Sequence, residues 1–197
     1  MTHLSNLENI LKCNELRSYN LMRGHAYQNL SNQDVQEGRA VIVVPCTGRP
    51  LHDYVPLYFG NRTPMVAVNQ EHNEELVFIR FSLDILALGE VVISDGNARA
   101  KATQFHRFVG IEDLGLVDPK AINTAKYAHD QELKRRKQAE ILVPDRVLLD
   151  STLDLICYSA NAGQRILAIL QSYGKKWSIH VRPGTWYFTG SKKEGPS

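Results

Sequence analysis

A mixed α+β domain is what the sequence predicts, and three observations carry the prediction. Short apolar runs of strand length recur at Ala40–Val44, Met65–Val68, Leu76–Phe81, Val91–Ser94, Ile141–Val143 and Leu153–Cys157. Helix-like stretches fall between them without a strict strand–helix–strand rhythm, which argues against a doubly wound parallel sheet. Of 197 residues, 43% are hydrophobic and 22% charged, the balance of an ordinary globular domain. At this length folding buries roughly 70% of the unfolded surface, so no disulfide or metal staple is needed.

Each element follows in chain order. Leu7, Ile10, Leu11 and, more loosely, Leu16 share a face of a helix over 6–16, with Ser5 or Asn6 as N-cap. Residues 18–33, rich in Asn and Gln, read as a loop, with a short helix near 33–39. Ala40–Val44 is a candidate buried strand stopped by Pro45. Met65–Val68, Leu76–Phe81 and Val91–Ser94 follow as strands, with 82–89 helical. Asp95-Gly96-Asn97 signals a turn. The basic stretch Ala98–Phe108 comes next, then helices near 118–127 and 129–138. Ile141–Val143, ended by Pro144, and Leu153–Cys157 are strands; Ala162–Ser172 is an amphipathic helix closed by Gly174. Trp177–Val181 and Thr185–Phe188 close the domain as strands around an Arg182-Pro183-Gly184 turn. One domain over 1–190 accounts for all of this, and 191–197 is expected to be a disordered tail.

Several function classes drop out. The 23 Lys and Arg against 21 Asp and Glu leave +2, which excludes a histone-like protein but not a local basic groove. Cys13, Cys46 and Cys157 form no C-x-x-C, so neither a zinc ribbon nor a secreted disulfide framework is expected. No apolar run approaches the ~18 residues of a membrane span, and the first residues lack the pattern of a signal peptide. The expectation is a reduced, cytoplasmic, monomeric protein with no membrane contact. The seven histidines show no metal-ligand spacing. Glycine-rich nucleotide fingerprints and the Gly-x-Ser-x-Gly elbow are missing too.

Four constellations remain. Leu51-His52-Asp53-Tyr54-Val55-Pro56-Leu57-Tyr58-Phe59 gathers three aromatics in a stretch without helical or strand period. It is either a core segment whose tyrosine hydroxyls find backbone partners, or a pocket wall that stacks a flat ring. Lys134-Arg135-Arg136-Lys137 ends a helix, where cations complement its negative pole. Glu140 then opens an apolar run, with Gln138 on the same side of an extended chain. A surface glutamate is the simpler account of Glu140; a rigid, desolvated catalytic carboxylate is the other. Arg39, just before an apolar run, either clamps phosphate or pairs with Glu37 or Asp34. Arg99, Lys101 and Arg107, with Phe105 and His106, lie in the acid-free stretch 96–107. They suit a single-stranded nucleic acid, though a solvated loop is the simpler account.

In this order the segments resemble the DarT family, the DNA ADP-ribosyltransferase toxins of bacterial DarT–DarG toxin–antitoxin systems. The matching pieces are Thr2-His3-Leu4-Ser5-Asn6-Leu7, Gln36-Glu37-Gly38-Arg39, the 51–59 block, Asn61-Arg62-Thr63-Pro64-Met65, Lys137-Gln138-Ala139-Glu140-Ile141-Leu142-Val143 and Trp186-Tyr187-Phe188. The likeness runs over about 1–188, and its specific parts are the His-Asp-Tyr-Val-Pro and Lys-Gln-Ala-Glu blocks.

The resemblance implies an ADP-ribosyltransferase-like split mixed β-core with flanking helices. It also implies transfer of ADP-ribose from NAD onto a base of single-stranded DNA with release of nicotinamide, and a DarG-type macrodomain antitoxin that reverses the modification. By the same match Glu140 is catalytic, and Arg39 lies at the NAD and substrate centre. Thr2, His3 and Asn6 fall in the opening NAD motif, and Tyr54, Tyr58 and Phe59 are expected around the nicotinamide half. Arg99, Lys101, Arg107, Lys134, Arg135 and Gln138 are expected on DNA, and no metal is implied. One departure concerns the start. Family members carry Tyr-His or a similar pair just before the segment matching Thr2, so that histidine would fall at position 0. A different start, substitution by His3 or weaker NAD binding would each follow from this. The alternatives are a transferase of the same fold acting on RNA or protein, and a degenerate member that only binds single-stranded nucleic acid.

Overall fold

Glu140–Pro144 is apolar after its first residue, and it is a strand with both faces covered, as a run without alternation requires. The structure is a computed structural model that describes residues 1–183 and 187–189. Among these residues the strands are β1 (Thr2–His3), β2 (Glu15–Arg17), β3 (Tyr54–Tyr58), β4 (Leu76–Phe81), β5 (Val92–Ser94), β6 (Phe105–Arg107), β7 (Glu140–Pro144), β8 (Arg146–Leu148), β9 (Thr152–Cys157) and β10 (Ser178–Val181). The helices are α1 (Leu7–Cys13), α2 (Gln33–Ala40), α3 (Pro64–Val68), α4 (Pro119–Asn123), α5 (Gln131–Arg136) and α6 (Ala160–Ser172).

The β-structure is divided. One four-stranded sheet has the order β1-β4-β9-β10, antiparallel except for the β9–β10 pair. The other runs β3-β7-β5-β6 and is antiparallel throughout. A β2–β8 ribbon forms a third sheet. The parallel β9–β10 pair is reached through α6, as a parallel connection demands. Ser159 caps α6 by accepting from the Ala162 amide at 3.1 Å. Ile166 and Leu170 on α6 pack with Leu7 and Leu11 on α1 and with Leu155 on β9. In the other sheet Ile141 and Val143 face Val55, Ile85 and Val147, while Leu142 faces Leu51, Tyr54 and Val92.

The split mixed β-core agrees with the expected α+β class, and several elements differ from the sequence reading. Ala40–Val44 is not a strand. Helix α2 runs to Ala40, Val41 and Val43 are exposed, and one isolated bridge, Val43 to Pro50, remains. A β-branched run makes a strand only where a partner lies alongside. Met65–Val68 is helical because Pro64 occupies the first helical position and presets its dihedral angle. Leu16 leaves the first helix, which Asn14 ends in the left-handed region at φ 55°, and joins β2. Asn6 sits at the N-cap of α1 without capping it by its side chain. The two helices expected near 118–127 and 129–138 contract to α4 and α5, capped by Asp118 and Asp130. The aperiodic 54–58 stretch is an edge strand, the one sheet position where Pro56 costs no ladder bond. The expected strand over 185–188 and turn at 182–184 lie partly outside the described residues, and the 191–197 tail wholly outside.

Candidate active site

Strand pairing fixes Glu140 first. It opens β7 opposite Tyr58 on one side and Ser94 on the other, and its side chain has 1% of its surface exposed. Its amide donates to Ser94 Oγ at 3.1 Å, and that hydroxyl donates to the Gly96 carbonyl at 2.7 Å. The turn after β5 is thereby latched to the start of β7.

The charge of Glu140 is met by Arg39, which arrives from the last turn of α2. Nη1 and Nη2 donate to Oε1 and Oε2 at 3.1 and 3.0 Å, a fork-on-fork pair. Burial works against the Arg39 charge, and Glu140 more than offsets it, so the guanidinium pKa is raised. Burial likewise pushes the Tyr58 phenol up, with Glu140 adding to the effect. The Ala98 amide approaches Oε1 at 3.4 Å. A carboxylate has about four lone-pair sites, so Arg39 leaves Glu140 able to accept from a further group. Gly38 brings the next cation in: a Cβ there would lie 2.5 Å from Arg99 Nε.

Arg39 and Tyr58 line a cleft of about 750 Å³, together with Tyr19, Tyr27, His52 and Arg99. The volume is that of a site for a drug-sized or dinucleotide-sized ligand. The wall carrying Tyr19 and Tyr27 comes from the 18–33 loop, which the sequence presents as connection only. Two tyrosines in an Asn- and Gln-rich loop were the signal available there.

The other sequence candidates divide between the cleft and its supports. Thr2 and Asn6 join each other: Asn6 Nδ2 donates to Thr2 Oγ1 at 3.2 Å and to the Gln28 carbonyl at 2.9 Å, while Asn6 Oδ1 accepts from the Gln28 amide at 2.8 Å. They therefore hold the loop that walls the cleft. His3 Nδ1 caps the short turn after it by accepting from the Ser5 amide at 3.2 Å. Tyr54 borders the cleft, with its hydroxyl on Thr47 Oγ1 at 2.7 Å and Arg49 5.5 Å from its ring centre.

On the expected DNA face, Arg99 and Lys101 are exposed, and Arg107 donates to the Cys46 carbonyl at 2.9 Å. Gln138 accepts from Asn97 Nδ2 at 3.2 Å at the cleft's edge. The four-cation run is mostly spoken for. Arg135 is buried and bound to Asp95 and Glu132, Arg136 pairs with Glu132 and Asp118, and Lys137 Nζ donates to the Ile122 carbonyl at 2.7 Å. Lys134 has no carboxylate partner among the described residues. Arg135 thus differs from the other expected DNA contacts: its guanidinium is a strut between α5 and the turn after β5. Among the described residues no cluster of three or more His, Cys, Asp or Glu is placed to hold a metal, and no helix is long and apolar enough to cross a membrane.

Comparison with known proteins adds the following. Residues 1–188 match the family model described as DarT, ssDNA thymidine ADP-ribosyltransferase. A DNA ADP-ribosyl transferase of Thermus sp. (strain 2.9) is 28% identical over 95% of this chain and 94% of its own length. The structure of Thermus sp. 2.9 DarT in complex with ADP-ribosylated ssDNA superposes with a TM-score of 0.87 at 27% identity, covering 95% of this chain and 93% of that one. The same protein in complex with NAD+ gives 0.81 at 26% identity, over 95% and 94%. A DNA ADP-ribosyl transferase-DNA ADP-ribosyl glycohydrolase fusion protein of Thermosipho africanus is 25% identical over 75% of this chain and 38% of its own length.

Proposed function

The chain belongs to the DarT family of ADP-ribosyltransferases, and from that premise we propose how its own residues perform the transfer. The protein is an NAD-dependent DNA ADP-ribosyltransferase: it moves ADP-ribose from NAD onto a base of single-stranded DNA and releases nicotinamide. The observation that carries the residue assignment is the buried Glu140 carboxylate gripped by Arg39 beside a cleft of dinucleotide size.

NAD supplies the ADP-ribosyl group and a nicotinamide leaving group. Glu140, desolvated and fixed at two points by Arg39, offers its remaining lone pairs to a ribose hydroxyl and faces the positive charge that develops on the sugar. The same carboxylate takes the proton of the attacking base nitrogen. Arg39 holds Glu140 in place and sets a positive field for phosphate at the cleft. Tyr58, kept protonated by burial, packs the nicotinamide side, and Tyr54 closes the wall behind it. Arg99, Lys101, Arg107 and Lys134 present cations to DNA phosphates, with Gln138 at the base.

The acceptor nucleoside is thymidine, by the family description. The partner is a macrodomain antitoxin of the DarG type; the Thermosipho africanus fusion, which joins a transferase to a glycohydrolase, supports that pairing. The enzyme works as a single-domain monomer in the cytoplasm.

Incubation of the protein with NAD and single-stranded oligonucleotides, read by mass spectrometry, tests this. A gain of one ADP-ribosyl group is expected on thymidine-containing strands, lost in Glu140→Gln. Labelling of strands without thymidine would overturn the base assignment, and full activity in Glu140→Gln would overturn the catalytic one.

A further inference from the structure

His52 is 5% exposed, yet its Nε2 has no hydrogen-bond partner. A buried polar atom without a partner is costly and calls for an explanation. The residue lines the cleft, and its ring packs on Tyr19 with centroids 4.2 Å apart and planes at 34°. Its position is held by the main chain. The His52 carbonyl accepts from the Asn20 amide at 3.0 Å, and Asp53 next to it accepts from Asn20 Nδ2 at 2.6 Å.

The charges around the ring are unbalanced. Burial, then Arg39 and Arg23, hold the imidazole below its ordinary range, and Asp53 opposes them weakly. Asp53 is engaged by Asn20, Arg39 by Glu140, and Arg23 has no carboxylate partner among the described residues. Tyr19 contributes only its ring face. The free protein therefore presents an imidazole held toward its neutral form by nearby positive charge, which an anion entering the cleft would offset.

We propose that His52 is a substrate-contacting residue, donating Nε2–H to a phosphate oxygen that enters the cleft beside Arg39. The proposal rests on the transferase reading, because the two phosphate sources are that reaction's substrates: the pyrophosphate of NAD and the backbone of the DNA strand. Phosphate is favoured over a hydroxyl or a base edge by its charge, because the field at the ring is positive and Arg23 has no carboxylate partner among the described residues. Its arrival also offsets the positive field at the ring, so the His52 pKa rises as the ligand binds.

Two variants separate contact from packing. His52→Phe keeps a ring against Tyr19 and removes both nitrogens. His52→Gln places an amide donor where Nε2 stood. His52→Phe is expected to raise KM about tenfold or more for one substrate, with kcat within about twofold, and His52→Gln to restore most of the loss. A rise for NAD identifies the pyrophosphate; a rise for the oligonucleotide identifies the DNA backbone. NMR titration of the wild-type His52 ring, alone and with NAD or oligothymidylate added, is expected to show its pKa rising with that same substrate. Unchanged KM values for both substrates in a folded His52→Phe would overturn the proposal. So would a His52 titration that neither substrate moves, and this second measurement decides if His52→Phe fails to fold. A substrate-induced rise without DNA labelling would instead sink the transferase reading and leave the phosphate contact standing.

Discussion

Arg39 and Glu140 are separated by 101 residues, and neither can be assigned from its own neighbourhood. Glu140 opens an apolar run, which fits a surface glutamate as well as a buried one. What decides is a partner on a distant helix. The resemblance to a family named both residues; their burial and pairing were not legible, because a carboxylate is buried only where a cation comes to meet it. Tyr54 shows the same limit, since its hydroxyl partner, Thr47, comes from a turn beyond Pro45 to which the sequence reading assigns no element. The ion pair yields a sharp expectation. Arg39→Met leaves a buried carboxylate uncompensated and should cost about 3–5 kcal/mol in urea denaturation. The double variant Arg39→Met with Glu140→Gln should recover much of that stability while remaining inactive. Losses that simply add would show that the two side chains do not depend on each other.

Among the elements, the strands best read from sequence are those with a paired neighbour on each side, β4, β5, β7 and β9. Those missed, β1, β2, β3, β6 and β8, are short or lie at a sheet edge, and they are strands because of what they pair with. The turn after β5, packed against α5, is the element on which the site's precision depends. Gly96 packs directly on Arg135: a Cβ there would lie 2.5 Å from Arg135 Nη1 and 2.9 Å from its backbone carbonyl. The side chain can move but the carbonyl, which accepts from the Asn97 amide at 2.9 Å, cannot do so cheaply. Gly96→Ala should therefore cost about 1–3 kcal/mol. It should also lower kcat, because the Ser94 latch on Glu140 bonds the Gly96 carbonyl. Thermal melts and steady-state rates check both. Gly38→Ala is the control, since its Cβ meets only the movable end of Arg99, and its melting temperature should hold or rise.

For the whole molecule, net charge says little about a DNA partner, because +2 hides an uneven distribution in which residues 96–107 carry three cations and no acid. Arg99, Lys101, Arg107 and Lys134 are expected to carry the salt dependence of oligonucleotide binding, about 0.7 in log–log slope for each phosphate neutralised. Lys101→Ala should reduce that slope. Arg135→Ala should lower stability and leave the slope of the folded fraction unchanged; a reduced slope there would place Arg135 on DNA after all. Lys137 gives a pH expectation. Burial, with Arg62 adding, pulls its ammonium pKa down from 10.5 to about 8. Between those values the unfolded chain keeps a proton that the folded chain has released, so stability rises with pH from about 8 to about 10.5. Below pH 8 both states carry the proton, and the cost of the buried charge is present in full. Lys137→Met should flatten this rise in a series of thermal melts.

Finally, the hold of Asn6 on both polar groups of the Gln28 backbone has a kinetic consequence. A single side chain imitates a neighbouring strand there. The Gln28 amide then works as a built-in clock for the opening of the wall. Its exchange with deuterium should be slow in the wild type, slower still with NAD bound, and fast in Asn6→Ala. If product leaves by that door, the exchange rate and the turnover rate should change together.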